Sequence, residues 1–129
     1  MIPPPEARRA QGDAAEDRAC RHLEGSGMTI VERNFRTPGG EIDIVARKGD
    51  VLVFVEVRSR EAPDFGTPEE SVTPAKRRRI VGAARQYLSN VPPSSWREAR
   101  FDVIAIEGNG DAAILRHYPA AFDANGKIL

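Results

Sequence analysis

Residues 40–60 read GEIDIVARKGDVLVFVEVRSR, two β-branched, apolar runs around Lys48-Gly49-Asp50. The pattern predicts a hairpin of strands Glu41–Arg47 and Val51–Arg58. Glu41, Asp43, Glu56 and Arg58 interrupt it where burial makes charge costly. With Gly49-Asp50 as a two-residue loop, Lys48 faces Val51, and the same register sets Asp43 opposite Glu56 and Glu41 opposite Arg58. Opposed residues have Cβ atoms about 4.5 to 5.5 Å apart, where two carboxylates repel or share a proton. A divalent cation relieves this, since Mg²⁺ takes one or two carboxylates together with waters and phosphate oxygens. A structural reading stands beside it: Glu41 pairs with Arg58, Asp43 sits at a sheet end, and the acids serve solubility. Alternation places Glu56 and Arg58 with Leu52 and Phe54 on one face, and Val51, Val53, Val55 and Val57 on the other. Such a strand is central, covered on both sides.

Upstream, Thr29–Phe35 reads as a strand and Thr37-Pro38-Gly39-Gly40 as a turn, which completes a three-stranded meander. Asp13–Glu24 reads as a helix with Ala15, Ala19, His22 and Leu23 on one side, Glu16 at its edge, and Gly25 and Gly27 as stops. Residues 1–11, Pro-rich and then charged, read as a flexible arm before a single domain over 12–129. Downstream, Glu61–Val72 has the composition of a mobile loop placed to act as a flap. Thr73-Pro74 then opens a helix whose stripe Ile80, Ala84, Tyr87, Leu88 ends before Val91-Pro92-Pro93. Two last strands are expected, Phe101–Glu107 and Ala112–Tyr118, joined at Gly108-Asn109-Gly110-Asp111. The order α-β-β-β-α-β-β is that of an α/β protein with a mixed sheet flanked by helices.

At 129 residues, 40% hydrophobic and 29% charged, the chain suits one domain with one substantial core. Nineteen basic residues balance nineteen acidic ones, so any electrostatic steering comes from local clusters. The single Cys20 has no disulfide partner, and the N-terminus lacks a signal peptide's apolar core, which points to the cytoplasm. The longest apolar run, Val51–Val55, falls far short of the roughly 18 residues of a membrane span. Cys20 reads as an apolar filler, His22 and His117 as structural, and Trp96 as a cover for the core. Asp102 opens the fourth strand, bonded to backbone or Arg100, with a third site acid as the alternative use.

Asp43 followed at a distance by Glu56-Val57-Arg58 resembles the bipartite core of PD-(D/E)xK nucleases, whose Asp and (D/E)xK tripeptide lie on adjacent strands. More of the chain is similar to the YraN-like family. The residues concerned are Gly12, Glu16 and Ala19; Arg33-Asn34-Phe35-Arg36; Gly40-Glu41-Ile42-Asp43; Val53 to Arg58; Phe65-Gly66; Val72-Thr73-Pro74 with Lys76; and Arg100 to Val103. The resemblance implies a restriction-endonuclease-like fold, close to archaeal Holliday junction resolvases. It also implies Asp43 and Glu56 as ligands of Mg²⁺ or Mn²⁺, Glu16 as a helix acid reaching toward the site, and Arg58 at the lysine position. Ala15 stands where the family has Gly and His22 where Tyr is frequent. Arg58 is the departure that matters, because a guanidinium stays protonated and cannot act as general base, though it can hold a phosphate bidentately.

Lys76-Arg77-Arg78-Arg79 lies in the first turns of the second helix, where positive charge opposes the helix dipole and an anionic partner would relieve it. Arg33, Arg36, Lys76, Arg77 and Arg79, with Arg58 and Arg60 nearby, are therefore the candidates for tracking a nucleic-acid backbone. The alternative is a solvated helix end balanced by Glu69 and Glu70. The expected function is metal-dependent hydrolysis of DNA phosphodiesters, with branched or damaged DNA as candidate substrate and a homodimer compatible with the sequence. Its rivals are an inactive nucleic-acid-binding module of the same fold and a protein-interaction domain.

Overall fold

A computed structural model describes residues 5–60, 72–108 and 110–129, with side chains from residue 13 onward. Val51–Arg60 forms β3, the middle strand of a five-stranded sheet ordered β1 (Thr29–Thr37), β2 (Gly40–Lys48), β3, β4 (Glu98–Glu107), β5 (Ile114–Phe122). Helix α1 (Pro5–Gly25) precedes the sheet, and α2 (Pro74–Ser89) lies between β3 and β4. Strands β3 and β4 run parallel and all other neighbours antiparallel. A parallel pair cannot be joined by a hairpin, so α2 provides the crossover. The expected element order in a mixed α/β sheet is therefore the observed one.

Several boundaries differ from the sequence reading, among them that of β5, which runs Ile114–Phe122 and not Ala112–Tyr118 because Gly110–Ala112 form a 3₁₀ turn. Helix α1 begins at Pro5, so Pro5–Gln11, read as part of an arm, are helical. Proline suits a first helical turn because its missing N–H has no intrahelical partner there. Residues 1–4, and residues 61–71 of the expected flap, lie outside the described residues. Strand β4 begins at Glu98, not Phe101, because parallel pairing with β3 starts at Val51↔Glu98 and carries the polar Glu98-Ala99-Arg100 into the ladder. Pairing thus overrides weak local propensity, and Asp102 falls inside the strand, fully buried.

The core has two layers. Leu52 and Phe54 of β3 pack with Val45, Phe101, Val103 and the α2 residues Ile80, Ala84 and Tyr87. Val53 and Val55 pack on the opposite side with Ile44, Ala46, Ile104, Ile106 and the α1 residues Ala15, Ala19, Cys20 and Leu23. Alternation on β3 thus feeds both layers, as expected of a central strand. Full burial of each large side chain contributes about 1.5 to 3 kcal/mol. Tyr87 meets Phe35 and Phe54 edge-on at ring distances of 5.3 and 5.7 Å. Trp96 packs against the same layer, as expected. No helix among the described residues is long and apolar enough to cross a membrane.

Two local features steer α2 toward the sheet. Thr73 caps the helix, its Oγ1 accepting the Lys76 N–H at 3.1 Å, with Pro74 in the first turn. Gly40 lies directly beneath α2: a Cβ there would collide with the Arg79 carbonyl group, whose carbon would be only 2.8 Å away. Only glycine lets the helix backbone come this close, and the contact brings the first turn of α2 to the far end of β3.

A buried acid pair at the open end of the β2–β3 ladder

The hairpin register follows the sequence reading from Lys48↔Val51 to Ile44↔Val55 and then stops. At the next step the Asp43 side chain replaces the backbone, Oδ2 accepting the Val57 N–H at 2.8 Å. Beyond it β3 continues beside β4 as far as Arg60↔Glu107, while β2 continues beside β1 to Thr37↔Gly40. The sheet forks here, and Asp43 and Glu56 stand at the base of the fork. The expected Glu41–Arg58 pairing does not form. Since the ladder has already opened, Glu41 turns to Arg36 across β1 at 3.2 Å, both exposed. Arg58 is half-buried and has no ion-pair partner among the described residues.

Glu56 is 3% exposed. Its Oε1 lies 3.6 Å from the Lys76 ammonium of α2, and its Oε2 has no hydrogen-bond partner among the described residues. Burial, and then the neighbouring Asp43 carboxylate, push the Glu56 pKa up to about 8 against the pull of Lys76 and Arg58. Burial also raises Asp43, although the Val57 N–H favours its charged form. At neutral pH the pair therefore retains a proton. Glu16 is raised too, by burial and by the charge of Asp43, partly offset by Arg33 and Asn34. Its Oε2 accepts from Arg33 Nη2 at 3.3 Å and from Asn34 Nδ2 at 3.2 Å. Asn34 has a left-handed backbone, φ 55°, a conformation Asn tolerates better than most residues. That kink sends Arg33 toward α1 and Phe35 toward Tyr87 of α2.

The donor set suits one small hard cation. Two adjacent carboxyls that bond each other while they hold a proton are, once ionised, what Mg²⁺ takes from a protein when waters and phosphate complete its shell. Among the described residues no three His, Cys, Asp or Glu converge on one point, and Glu16 is joined to the pair only through the charge of Asp43, which raises its pKa.

The basic candidates separate. Lys76, expected to face a nucleic-acid backbone, instead reaches Glu56. Arg77 is buried at 8% exposure, its Nε donating to the Gly126 carbonyl at 2.6 Å and its Nη1 to the Val72 carbonyl. It ties the C-terminal segment to α2, which removes it from the set that could meet a phosphate, because helical spacing turns position 77 toward the core. Arg33 is held by Asp17 at 2.7 Å as well as by Glu16. Arg36 and Arg79 are exposed, Arg79 with a long contact of 3.4 Å to the Gly39 carbonyl.

The sequence reading also missed a polar chain. His22 of α1 and His117 of β5 meet at 3.0 Å, and His117 Nε2 lies 2.7 Å from Asp102 Oδ2. Arg100 donates to both Asp102 oxygens at 2.9 Å, and the Ala120 N–H donates at 3.0 Å. Burial would raise the Asp102 pKa, but these hydrogen bonds outweigh it and hold the carboxyl below its usual range. Asp102 thus bonds both Arg100 and backbone, as expected, and no local signal joins histidines 95 residues apart.

The model of a family described as "Uncharacterised protein family UPF0102" matches residues 15–106. Similar proteins, each named UPF0102 protein, occur in Dechloromonas aromatica, Syntrophotalea carbinolica and Myxococcus xanthus. The first is 54% identical over 99 residues, covering 77% of this chain and 80% of the relative. The second is 45% identical over 119 residues, covering 92% and 96%. The third is 44% identical over 120 residues, covering 93% and 94%.

Proposed function

The chain belongs to the UPF0102 family, and we propose that it is a metal-dependent nuclease of restriction-endonuclease-like fold that hydrolyses DNA phosphodiesters, with branched or damaged DNA as candidate substrates. The observation that carries the proposal is the Asp43–Glu56 pair at the fork, Glu56 buried and Asp43 half-buried, flanked by Lys76 and Arg58. Two adjacent acids that hold a proton at neutral pH are a poor structural device, because burial destabilises the charged form of Glu56 more than its contact with Lys76 repays. They are a good receptor for a divalent cation.

Asp43 and Glu56 would hold Mg²⁺ or Mn²⁺, which lowers the pKa of bound water and offsets charge on a phosphate. The Val57 N–H fixes the Asp43 carboxylate by donating to Oδ2, and so would orient it for the cation. To hold the cation Glu56 would give up its proton, and Lys76 would stabilise the resulting carboxylate. Arg58, with no carboxylate partner among the described residues, would clamp non-bridging phosphate oxygens. Lys76 also puts an ammonium beside the acids, the group that the sequence lacks at position 58. The deciding experiment titrates Mg²⁺ or Mn²⁺ against linear, flapped and four-way DNA with wild type and Glu56→Gln. Cleavage by wild type that is lost in Glu56→Gln supports the proposal, and equal cleavage by both refutes the site.

Arg58 favours one second reading, a binding module that kept the fold and lost turnover, because arginine at this position cannot deprotonate water. DNA binding without cleavage by any metal-loaded form would select it.

A further inference from the structure

Away from the fork, His22 in the last turn of α1, His117 of β5 and the fully buried Asp102 of β4 stand in a row. Asp102 is ionised, and a carboxylate only accepts, so the proton in its 2.7 Å contact belongs to His117 Nε2. In neutral His117 the Nδ1 atom is then bare, and His22 Nε2–H donates to it across 3.0 Å. One added proton leaves this bond in place. On His22 it occupies Nδ1; on His117 it also occupies Nδ1, which then donates to a bare His22 Nε2. A second proton has no such place: both facing nitrogens would carry hydrogen, and two imidazolium ions would meet at 3.0 Å.

The surroundings do not absorb a second charge. Asp102 already receives Arg100 through both oxygens. On α1, Arg18 one turn earlier is a further cation, and Arg21 and Glu24 are exposed. Strand alternation puts Arg116 of β5 on the other face, where it meets Glu107, and β3 presents only Val53 and Val55 beside α1. Burial and the neighbouring His117 both hold the His22 pKa down. Among the described residues the histidine pair is also the one side-chain hydrogen bond that joins α1 to β4 or β5, since Glu16 and Asp17 tie the helix to Arg33 and Asn34 of β1. We propose that His22, His117 and Asp102 form an acid-released clasp: the closed pair admits one added proton, and the second parts the last turn of α1 from β5. Release loosens α1 over the layer it shares with Val53, Val55 and Ile104. The clasp is independent of the nuclease reading.

The test follows the full chain in EDTA from about pH 8 to about pH 4.5, as wild type and as His22→Gln. Protonation of the ring nitrogens is read by NMR, and opening by amide hydrogen exchange corrected for its intrinsic pH dependence. Below the ordinary histidine value of 6.5 the open form binds one proton more than the closed form. Opening at the Cys20–Leu23 amides of wild type should therefore rise about tenfold per pH unit, while the α2 amides of Ile80 and Val81 stay protected. Glutamine donates or accepts at the same contact by turning its amide, so His22→Gln should show no such rise. Equal slopes in the two proteins, no rise in wild type, or loss of protection in α1 and α2 together would overturn the clasp. The wild-type spectra test it without the variant: both rings carrying two N–H groups while Cys20–Leu23 remain protected would also overturn it.

Discussion

Replacing Glu56 by glutamine should change how stability depends on pH more than it changes stability itself. The Glu56 carboxyl has an ordinary pKa of 4.5 and in the fold is raised to about 8 by burial and by Asp43. The native state therefore holds a proton that the unfolded chain releases anywhere between these values. By linkage, this contribution to stability is fully present below pH 4.5 and is lost as pH rises through 8. At about 1.4 kcal/mol per pH interval of one, the loss amounts to at most roughly 4 to 5 kcal/mol, a large share of a typical domain's stability. Glutamine keeps the shape and never ionises, so its curve lacks this term. The assay is urea unfolding in EDTA from pH 5 to 9 for both proteins. The difference between the two curves cancels groups remote from the pair and reports Glu56 together with the coupled Asp43, and wild type should lose stability relative to the variant as pH rises. A difference that stays flat within about 0.5 kcal/mol would refute the raised pKa and the reasoning about the acid pair. The same proton reports on the proposed cation: below pH 8, Mn²⁺ affinity should fall about tenfold per pH unit, with close to one proton released on binding.

Arg58→Lys should keep or raise cleavage in single-turnover assays on four-way and flapped DNA, whereas Arg58→Ala should lose about 10² to 10³ in rate with metal-induced stabilisation intact. Loss of that stabilisation in Arg58→Ala would show that the residue supports the acids instead. Gly40→Ala should cost about 1 to 3 kcal/mol in urea unfolding by forcing α2 off β2, and a wild-type midpoint would contradict the close approach. Arg77→Met should destabilise by a similar amount, leaving the Gly126 and Val72 carbonyls unpaired, without altering the salt dependence of DNA binding; a reduced slope would return Arg77 to the phosphate-contacting set.

Much of the fold was legible because local chemistry decides it. The apolar alternation of Val51–Val57 marks a strand covered on both faces, Gly49-Asp50 sets its hairpin register, and Thr73-Pro74 starts a helix whatever surrounds it. That register brought Asp43 close to Glu56, although the ladder ends one step before them and Asp43 bonds the Val57 N–H. Other features were beyond reach. Nothing local tells that the ladder stops at Ile44↔Val55, because what ends it is a side chain capturing a backbone N–H fourteen positions away. The starts of α1 and β4 were missed for related reasons, since strand-to-strand pairing carries Glu98–Arg100 where propensity does not.

By itself, then, the sequence determined the α/β class, the element order and the two carboxylates of the candidate site, since short-range periodicity and turn chemistry specify each of them. Only the tertiary structure decided which charges meet. It turned Lys76 toward Glu56 and Arg77 into the core, gave Glu41 to Arg36, and joined His22 to His117. The physical reason is that a charged side chain is long and its partner is chosen by distance in space, while burial alters its energetics as much as its chemistry does.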